Sequence, residues 1–393
     1  AECPVCNRRL SGGPKNPVMI ERAVTLDEFK KWFSVDLLKQ ISQLILCGNY
    51  GDPMTAPELI PILTYFREIN PTGTISINTN AGGRNKKFWK DLSEVIGAFG
   101  RVVFSVDGLE DTNHLYRKGV SWDKVMNAMT AFTSTKKATA VWEFLVFEHN
   151  QHQIAEARAL SEELGFAEFW PKKAMGFSNG EDNIPIIRVL SADGSPDYNL
   201  YSPDDEWKNE AIKNPAIKNK GVVKNNRLDT PMKLEDITGV FNYDGPMLGS
   251  LKTIVAEDPE GVKRLDNCEI ICEALEWDEA DTQSLFVAST GVVFPCCFTA
   301  SKYYATSSFE TIQLRRFIER YGVETITLSD TKNIKDIVES GIMTNGYVNS
   351  WNKKSIKEGK LYTCGTFCGK DMNTEIKSTK DSIQYHKGIS VDV

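Results

Sequence analysis

The chain has 393 residues, of which 41% are hydrophobic and 25% are charged, a balance typical of soluble globular proteins, and its length predicts two domains. The formal net charge is -7, which argues against a nucleic-acid partner because no broad basic surface is available to neutralise phosphates. We find no apolar run long enough to cross a bilayer and no signal peptide before Cys3, so we expect a cytoplasmic protein with no membrane partner.

Predicted strands and helices alternate between residue 25 and about residue 175. Strands are predicted at 43–47, 74–80, 101–107, 138–147 and 166–173, and helices at 25–42, 55–68, 88–96, 121–132 and 154–164. Capping boxes at Thr25–Glu28 and Thr55–Glu58 mark the starts of the first two helices. Repeated strand–helix units predict an α/β fold with a parallel sheet or barrel and helices outside it.

Glycine and polar residues follow three consecutive strands of this pattern, at residues 48–53, 78–83 and 105–108. Such residues are also common in ordinary turns. Because the carboxyl ends of parallel strands meet at one edge, three such loops in a row favour a binding site there.

The pattern changes after the fifth strand. Residues 176–264 lose the alternation and are rich in turn residues, lysine and asparagine, so we interpret them as a linker or insertion after a first domain at 1–175. A cysteine-rich domain is expected at 265–393.

The nine cysteines are unevenly placed. Cys3 and Cys6 form a CxxC at the start, and Cys47 lies in an apolar strand, where we expect a core residue. The C-terminal third holds the other six, which are Cys268, Cys272, Cys296, Cys297, Cys364 and Cys368. An odd number in a large chain is not a disulfide framework, and the short spacings suggest metal sites in a reducing compartment. The four histidines show no metal-ligand spacing, and we expect ordinary structural roles for them.

A CxxC that precedes an α/β array with glycine-containing loops resembles the radical S-adenosylmethionine superfamily, whose signature is CxxxCxxC. Cys3 and Cys6 match its second and third cysteines, and the first would lie four residues before Cys3, ahead of the chain given. The resemblance implies a partial (β/α)6 TIM-like barrel with its first strand missing from this chain.

The same resemblance implies the cofactors. Three thiolates would hold a [4Fe–4S] cluster whose open iron binds S-adenosylmethionine. An electron from a flavodoxin or ferredoxin would then release a 5′-deoxyadenosyl radical, which abstracts hydrogen from the substrate.

Four further segments resemble motifs of that superfamily. Residues 48–53 (GNYGDP) look like its glycine-rich motif, residues 77–80 (INTN) like its third-strand motif, and residues 104–108 (FSVDG) with Arg117 like its fourth-strand motif. Residues 146–150 resemble the end of its fifth strand. The cofactor contacts implied by these matches are Gly48, Asn49, Tyr50, Gly51, Asp52, Asn78, Asn80, Ser105, Asp107, Arg117 and Asn150.

The C-terminal cysteines resemble the SPASM or Twitch extension of the superfamily, a small α+β domain that holds auxiliary iron–sulfur clusters. The dense cysteine block of a full SPASM domain is missing, so a single Twitch-like cluster is expected. Its ligands would be Cys272, Cys296, Cys364 and Cys368, and Cys268 and Cys297 could substitute. Gly291 is expected to turn a β-hairpin that leads to Cys296, and one helical turn would place Cys364 and Cys368 on one face.

Three functions remain open from the sequence. The first is a radical enzyme that modifies a peptide or protein side chain, and the second is a dehydrogenase or rearrangement enzyme acting on a small molecule. The third is a non-catalytic binding protein stabilised by zinc. A closed zinc site needs four ligands, and Cys3 and Cys6 have no obvious local partners in the sequence.

Overall fold

The computed structural model describes residues 1–180, 184–204, 259–272, 275, 284–305, 309–370 and 388–391. The helices are α1 (Leu26–Trp32), α2 (Val35–Gln40), α3 (Leu59–Ile69), α4 (Lys86–Ile96), α5 (Asn113–Tyr116), α6 (Trp122–Thr133), α7 (Ile154–Glu163), α8 (Pro259–Asn267), α9 (Cys297–Tyr303), α10 (Phe309–Tyr321), α11 (Ile334–Glu339), α12 (Tyr347–Trp351) and α13 (Tyr362–Cys368). The strands are β1 (Gln43–Leu46), β2 (Thr74–Thr79), β3 (Gly100–Ser105), β4 (Thr139–Val146), β5 (Glu168–Lys173), β6 (Ser178–Asn179), β7 (Pro185–Leu190), β8 (Pro196–Tyr201), β9 (Ser284–Val287), β10 (Val293–Phe294) and β11 (Gly388–Val391).

The five strands β1 to β5 lie side by side in chain order, and every neighbouring pair among them is parallel. Because crossovers between parallel strands are right-handed, this order places the connecting helices on one face of the sheet. A doubly wound sheet would instead reverse its order and carry helices on both faces. The predicted α/β fold with an open, barrel-like sheet is therefore confirmed.

Aromatic side chains fill the space between the sheet and its helices. Phe104 of β3 packs against Trp89 of α4 and Phe132 of α6, with ring centroids 5.6 and 5.5 Å apart. All three are fully buried, and burying each such side chain stabilises the fold by about 1.5–3 kcal/mol.

One of the two predicted capping boxes is present. Thr25 and Glu28 cap α1 reciprocally, through both side chains. The box predicted at Thr55–Glu58 is wrong, since α3 begins after Glu58 without a side-chain cap. The carboxylate of Glu58 instead accepts a hydrogen bond from the backbone N–H of Leu26 at 2.6 Å. Glu58 therefore forms a hydrogen bond with a residue far away in the sequence and does not cap its own helix.

Residues 178–201 contain a three-stranded antiparallel sheet, in the order β6-β7-β8, which the sequence pattern did not predict. It lies on the N-terminal segment, because the N–H of Leu190 donates to the carbonyl of Ser11 at 2.8 Å. It also meets the end of β4, where the N–H of Glu148 donates to the carbonyl of Tyr201 at 3.1 Å. The division into domains at 175 and 264 stays a prediction, since residues 205–258 lie outside the described chain.

The C-terminal third begins with the predicted hairpin. Gly291, at φ +84°, turns β9 into the antiparallel β10. A side chain at Gly291 would lie 3.1 Å from the carbonyl of Leu328, so glycine is needed there. Strand β11 is parallel to both β9 and β1 and joins the hairpin to the main sheet.

The described residues contain no helix that is both long enough and apolar enough to cross a membrane.

Candidate functional site

The N-terminal CxxC forms a tight turn, in which the N–H of Cys6 donates to the carbonyl of Cys3 at 3.1 Å. Cys3 is buried with Tyr116 and Phe147, and Cys6 packs at the margin of this group. Tyr116 ends the helix that follows β3, and Phe147 directly follows β4. The two thiols therefore lie at the carboxyl edge of the parallel sheet.

Arg117 connects Cys3 to the end of β3. Its Nη1 lies 3.5 Å from Cys3 Sγ, and its Nε lies 2.5 Å from Asp107 Oδ2. Burial opposes the charge on Arg117, but Asp107 and Cys3 outweigh burial and raise the pKa of the guanidinium well above its ordinary value. Burial raises the pKa of the Cys3 thiol, and Arg117 acts against that rise. A permanent cation is thus fixed beside the first thiol.

Asp107 and Asn150 hold this edge in place. The fully buried Asp107 accepts a hydrogen bond from the N–H of Leu145 at 2.7 Å through its second oxygen. The amide of Asn150 donates to the carbonyls of Asp107 and Leu145, at 2.8 and 2.9 Å, and accepts from the N–H of Phe147 at 2.7 Å. These bonds occupy both side chains and join the end of β3 to the end of β4.

The loop after β1 is joined to the end of β2 in the same way. Asp52 accepts hydrogen bonds from the hydroxyl of Thr79 and the N–H of Asn80, both at 2.9 Å, and from Asn80 Nδ2 at 2.5 Å. Gly48 adopts φ +65°, and a side chain there would lie 2.9 Å from the carbonyl of Gly51 and 3.5 Å from that of Asn78. The loop is therefore closely packed at Gly48, in a backbone conformation that favours glycine.

Tyr50, a predicted cofactor contact within this loop, faces the protein interior. Its ring meets Phe286 and Tyr304 with centroids 5.7 and 4.9 Å apart. Only 6% of Tyr50 is exposed, so it packs the loop against the C-terminal third. Asn49 and Gly51 are half-buried beside it, and Ser105 is buried at the end of β3.

Arg8 is a second arginine at the CxxC, and the sequence analysis missed it. Burial opposes its charge, but Cys6, Cys3 and Asp52 raise its pKa above the ordinary value. Its Nε is buried and has no hydrogen-bond partner among the described residues. The signal was visible as Arg8 and Arg9, which follow the CxxC after one asparagine. Arg8 brings the thiols and the loop after β1 into one electrostatic site.

The face of the sheet opposite the helices carries a charged pair, which also escaped the sequence analysis. Glu143 and Lys172 form an ion pair at 2.6 Å, and Lys172 lies 5.0 Å from the ring centre of Trp170. Ser105, Glu143 and Trp170 are in register on β3, β4 and β5. Alternation places them on the opposite face from the aromatic core residues.

His149, which follows β4, has both ring nitrogens buried without a hydrogen-bond partner in the described part of the chain. Its ring stacks on Phe147, with centroids 5.2 Å apart. Burial, followed by the charges of His152 and His114, lowers the pKa of His149 to about 4. A neutral imidazole with unused polar atoms therefore lies near the thiol site, where we had expected an ordinary residue.

A second group of thiols forms in the C-terminal third. Cys364 and Cys368 lie one turn apart on α13, and Cys296 directly precedes α9. Burial raises the pKa of Cys364 well above the ordinary value, and Cys272 and Cys296 raise it further. A hydrogen bond with Cys272 is the largest cause of the raised pKa of Cys368, and Cys296 and Cys364 contribute to it. The four cysteines named as ligands therefore lie within electrostatic reach of one another.

The two remaining cysteines of this region lie beside the group. Cys268 packs with Val262, Phe309 and Ile356 in a separate apolar cluster. Burial raises the pKa of the Cys297 thiol, and Cys297 in turn helps to raise the pKa of its neighbour Cys296, after burial and ahead of Cys272. Cys47 is half-buried and packs against the main core.

Four thiols suit either zinc or an iron–sulfur cluster, whereas Cys3 and Cys6 provide two of the three thiolates that the resemblance requires. Within the described ranges, no three Cys, His, Asp or Glu side chains are arranged so that they could hold a single metal ion.

No protein-family model and no curated protein sequence matches the chain. Among solved structures, native anSMEcpe with bound AdoMet is similar at 16% identity and a TM-score of 0.44, over 98% of this chain and 92% of that one. Streptococcus suis SuiB bound to S-adenosylmethionine is similar at 15% identity and a TM-score of 0.40, over 89% and 72%. SuiB bound to the precursor peptide SuiA is similar at 16% identity and a TM-score of 0.41, over 92% and 72%. Likenesses with TM-scores this low do not identify a family.

Proposed function

We propose that the protein is a radical S-adenosylmethionine enzyme that abstracts hydrogen from a peptide or protein side chain. One observation carries the proposal. The CxxC turn, the paired Arg117 and Asp107, and the glycine loop after β1 meet at the carboxyl edge of a chain-ordered parallel sheet. In folds of this kind the strand ends at that edge hold the reacting groups.

Cys3 and Cys6 would supply two of the three thiolates of a [4Fe–4S] cluster. Thiolate-ligated clusters carry negative charge, and Arg8 and Arg117 lie beside these sulfurs, so the electrostatics of the site fit the group. When bound, the cluster supplies the electron that cleaves S-adenosylmethionine reductively.

The residues around the thiols would bind and orient S-adenosylmethionine. The backbone carbonyls of the loop at Gly48 and Gly51 would accept hydrogen bonds from its amino group, and Arg8, whose Nε has no partner among the described residues, would face its carboxylate. The unpartnered nitrogens of His149 would meet the polar edge of the adenine. Asp107 and Asn150, whose side chains are already bonded, would position these groups without touching the cofactor.

The substrate would lie against the open face of the sheet, where Glu143, Lys172 and Trp170 offer an anion, a cation and an aromatic surface. A peptide can use all three. Cys272, Cys296, Cys364 and Cys368 would hold an auxiliary cluster, and a flavodoxin or ferredoxin would deliver the electrons.

The test is anaerobic reconstitution of the full-length protein with iron and sulfide, followed by incubation with dithionite, S-adenosylmethionine and a peptide library. We expect a brown protein that forms 5′-deoxyadenosine, and a modified peptide detected by mass spectrometry. Modification of small metabolites only would favour the dehydrogenase alternative. A colourless protein that contains zinc alone would overturn the proposal.

A further inference from the structure

Tyr347 is a fully buried tyrosine with no visible use for its hydroxyl. The residue is 0% exposed, and its oxygen has no hydrogen-bond partner among the described residues. A buried hydroxyl without a partner is unfavourable, because it has lost its bonds to water. Its ring packs on Phe317, with centroids 4.9 Å apart, and phenylalanine would serve that contact equally well.

The surroundings of this hydroxyl are thiols. Apart from burial itself, the groups that act electrostatically on Tyr347 are Cys364, Cys296 and Cys272, in decreasing order, followed by Tyr303. Three of the four cysteines assigned to the auxiliary cluster are therefore within electrostatic reach of one unpartnered donor.

Trp351 is a second donor of this kind and lies on the same helix as Tyr347. Its Nε1 is also buried without a hydrogen-bond partner of ordinary geometry in the described ranges. The indole N–H nevertheless faces Cys364 closely enough to stabilise its thiolate. Tyr347 and Trp351 are the first and last residues of α12, one turn apart, so they share a face of the helix.

The backbone before α12 is unusual as well. Residues Ile342–Gly346 form one turn of π-helix that leads directly into α12. Such turns are rare and occur frequently at functional sites, because they re-aim the side chains that follow. Here the residues that follow are the two unpartnered donors.

We propose that Tyr347 and Trp351 donate hydrogen bonds to sulfur atoms of an iron–sulfur cluster held by Cys272, Cys296, Cys364 and Cys368, and thereby raise its reduction potential. The inference rests on the auxiliary cluster of the proposed function. Cluster sulfur would supply the partner that both donors lack among the described residues. Donors directed at sulfur favour the reduced, more negative state, so they raise the potential.

The experiment measures the midpoint potential of this cluster by a redox titration followed by electron paramagnetic resonance. A Cys3→Ala/Cys6→Ala background removes the N-terminal thiolates, so that the signal comes from the C-terminal site alone. We expect Tyr347→Phe and Trp351→Phe each to shift the potential downward at unchanged iron content, and the double variant to shift it further. Tyr347→Phe removes one oxygen and keeps the ring, so the fold is preserved.

The matched control is Tyr321→Phe. Tyr321 is 41% exposed and packs on the same ring of Phe317, with centroids 5.3 Å apart, so its loss should leave the potential unchanged. An unchanged potential in Tyr347→Phe at full iron content would overturn this inference and leave the proposed function standing. A background protein that binds no iron at all would overturn the auxiliary cluster itself.

Discussion

The two thiol groups of this molecule are built in opposite ways. Cys3 and Cys6 lie at the edge of the sheet between two arginines, with a glycine loop and the unpartnered His149 close by. In the C-terminal group Cys272 and Cys364 are buried and Cys296 and Cys368 are half-buried. The influences on the pKa of Cys364 are burial, other cysteines and an indole N–H, with no cation among them. Two arginines beside a pair of thiols suit a site that binds a charged small molecule. Four thiols without a neighbouring cation suit a metal centre that only exchanges electrons.

The largest effect on activity is expected from loss of a thiol in the N-terminal group. Cys3→Ala should abolish formation of 5′-deoxyadenosine, because a methyl group cannot replace a thiolate ligand. Iron bound at the C-terminal group should remain. Iron analysis and mass spectrometry of the nucleoside give both results on one sample.

Cys364→Ala is the matched variant in the other group. It should remove the C-terminal iron while S-adenosylmethionine is still cleaved. If both variants lost the same iron, the two groups would not be separate sites.

Substitutions of Arg117 test whether its charge stabilises the N-terminal site. Arg117→Met leaves the fully buried Asp107 without its ion-pair partner, and breaking a buried pair costs about 3–5 kcal/mol. We expect that loss in the free energy of unfolding, measured by urea denaturation. The double variant Arg117→Met/Asp107→Asn should recover part of it, since the orphaned charge is gone. No recovery would mean that Arg117 acts through packing alone.

His149 gives the N-terminal site a pH-dependent contribution to stability that can be measured. Its folded pKa of about 4 lies below the ordinary value of about 6.5, so the neutral form favours folding. That contribution is complete above about pH 6.5 and is lost as the pH falls towards 4. It amounts to roughly 2–3 kcal/mol by linkage. His149→Phe keeps the stacking on Phe147 and should flatten this part of the stability profile. A profile as steep as that of the unmodified protein would show that the ring is not buried.

The smallest effect is expected at the two remaining cysteines. Cys268→Ser and Cys297→Ser should leave the iron content of the C-terminal group unchanged, because Cys268 packs in a separate apolar cluster and the pKa of Cys297 shows no influence of the four proposed ligands. A fall in iron content in either variant would bring that cysteine into the ligand set.

The sequence predicted the features that depend on neighbours along the chain. The five strands of the main sheet, the hairpin at Gly291, and the i, i+4 spacing of Cys364 and Cys368 were all recognisable from local patterns. Helix periodicity and turn chemistry act over a few residues, so a single sequence reveals them.

What the sequence did not reveal depends on distant contacts. Arg8 matters because folding brings it to Asp52, and Tyr347 matters because three segments place their cysteines around it. The cap predicted at Thr55–Glu58 failed for the same reason, since the carboxylate of Glu58 found the distant Leu26. Such pairings depend on topology, and local propensity does not encode them.

Strand β11 also determines how late in synthesis the sheet can be completed. Ile389 pairs with Leu44 across most of the length of the chain, and contacts this far apart in sequence form slowly. In the folded protein β11 covers this edge of β1, whose unpaired backbone groups would otherwise be open to pairing with other chains.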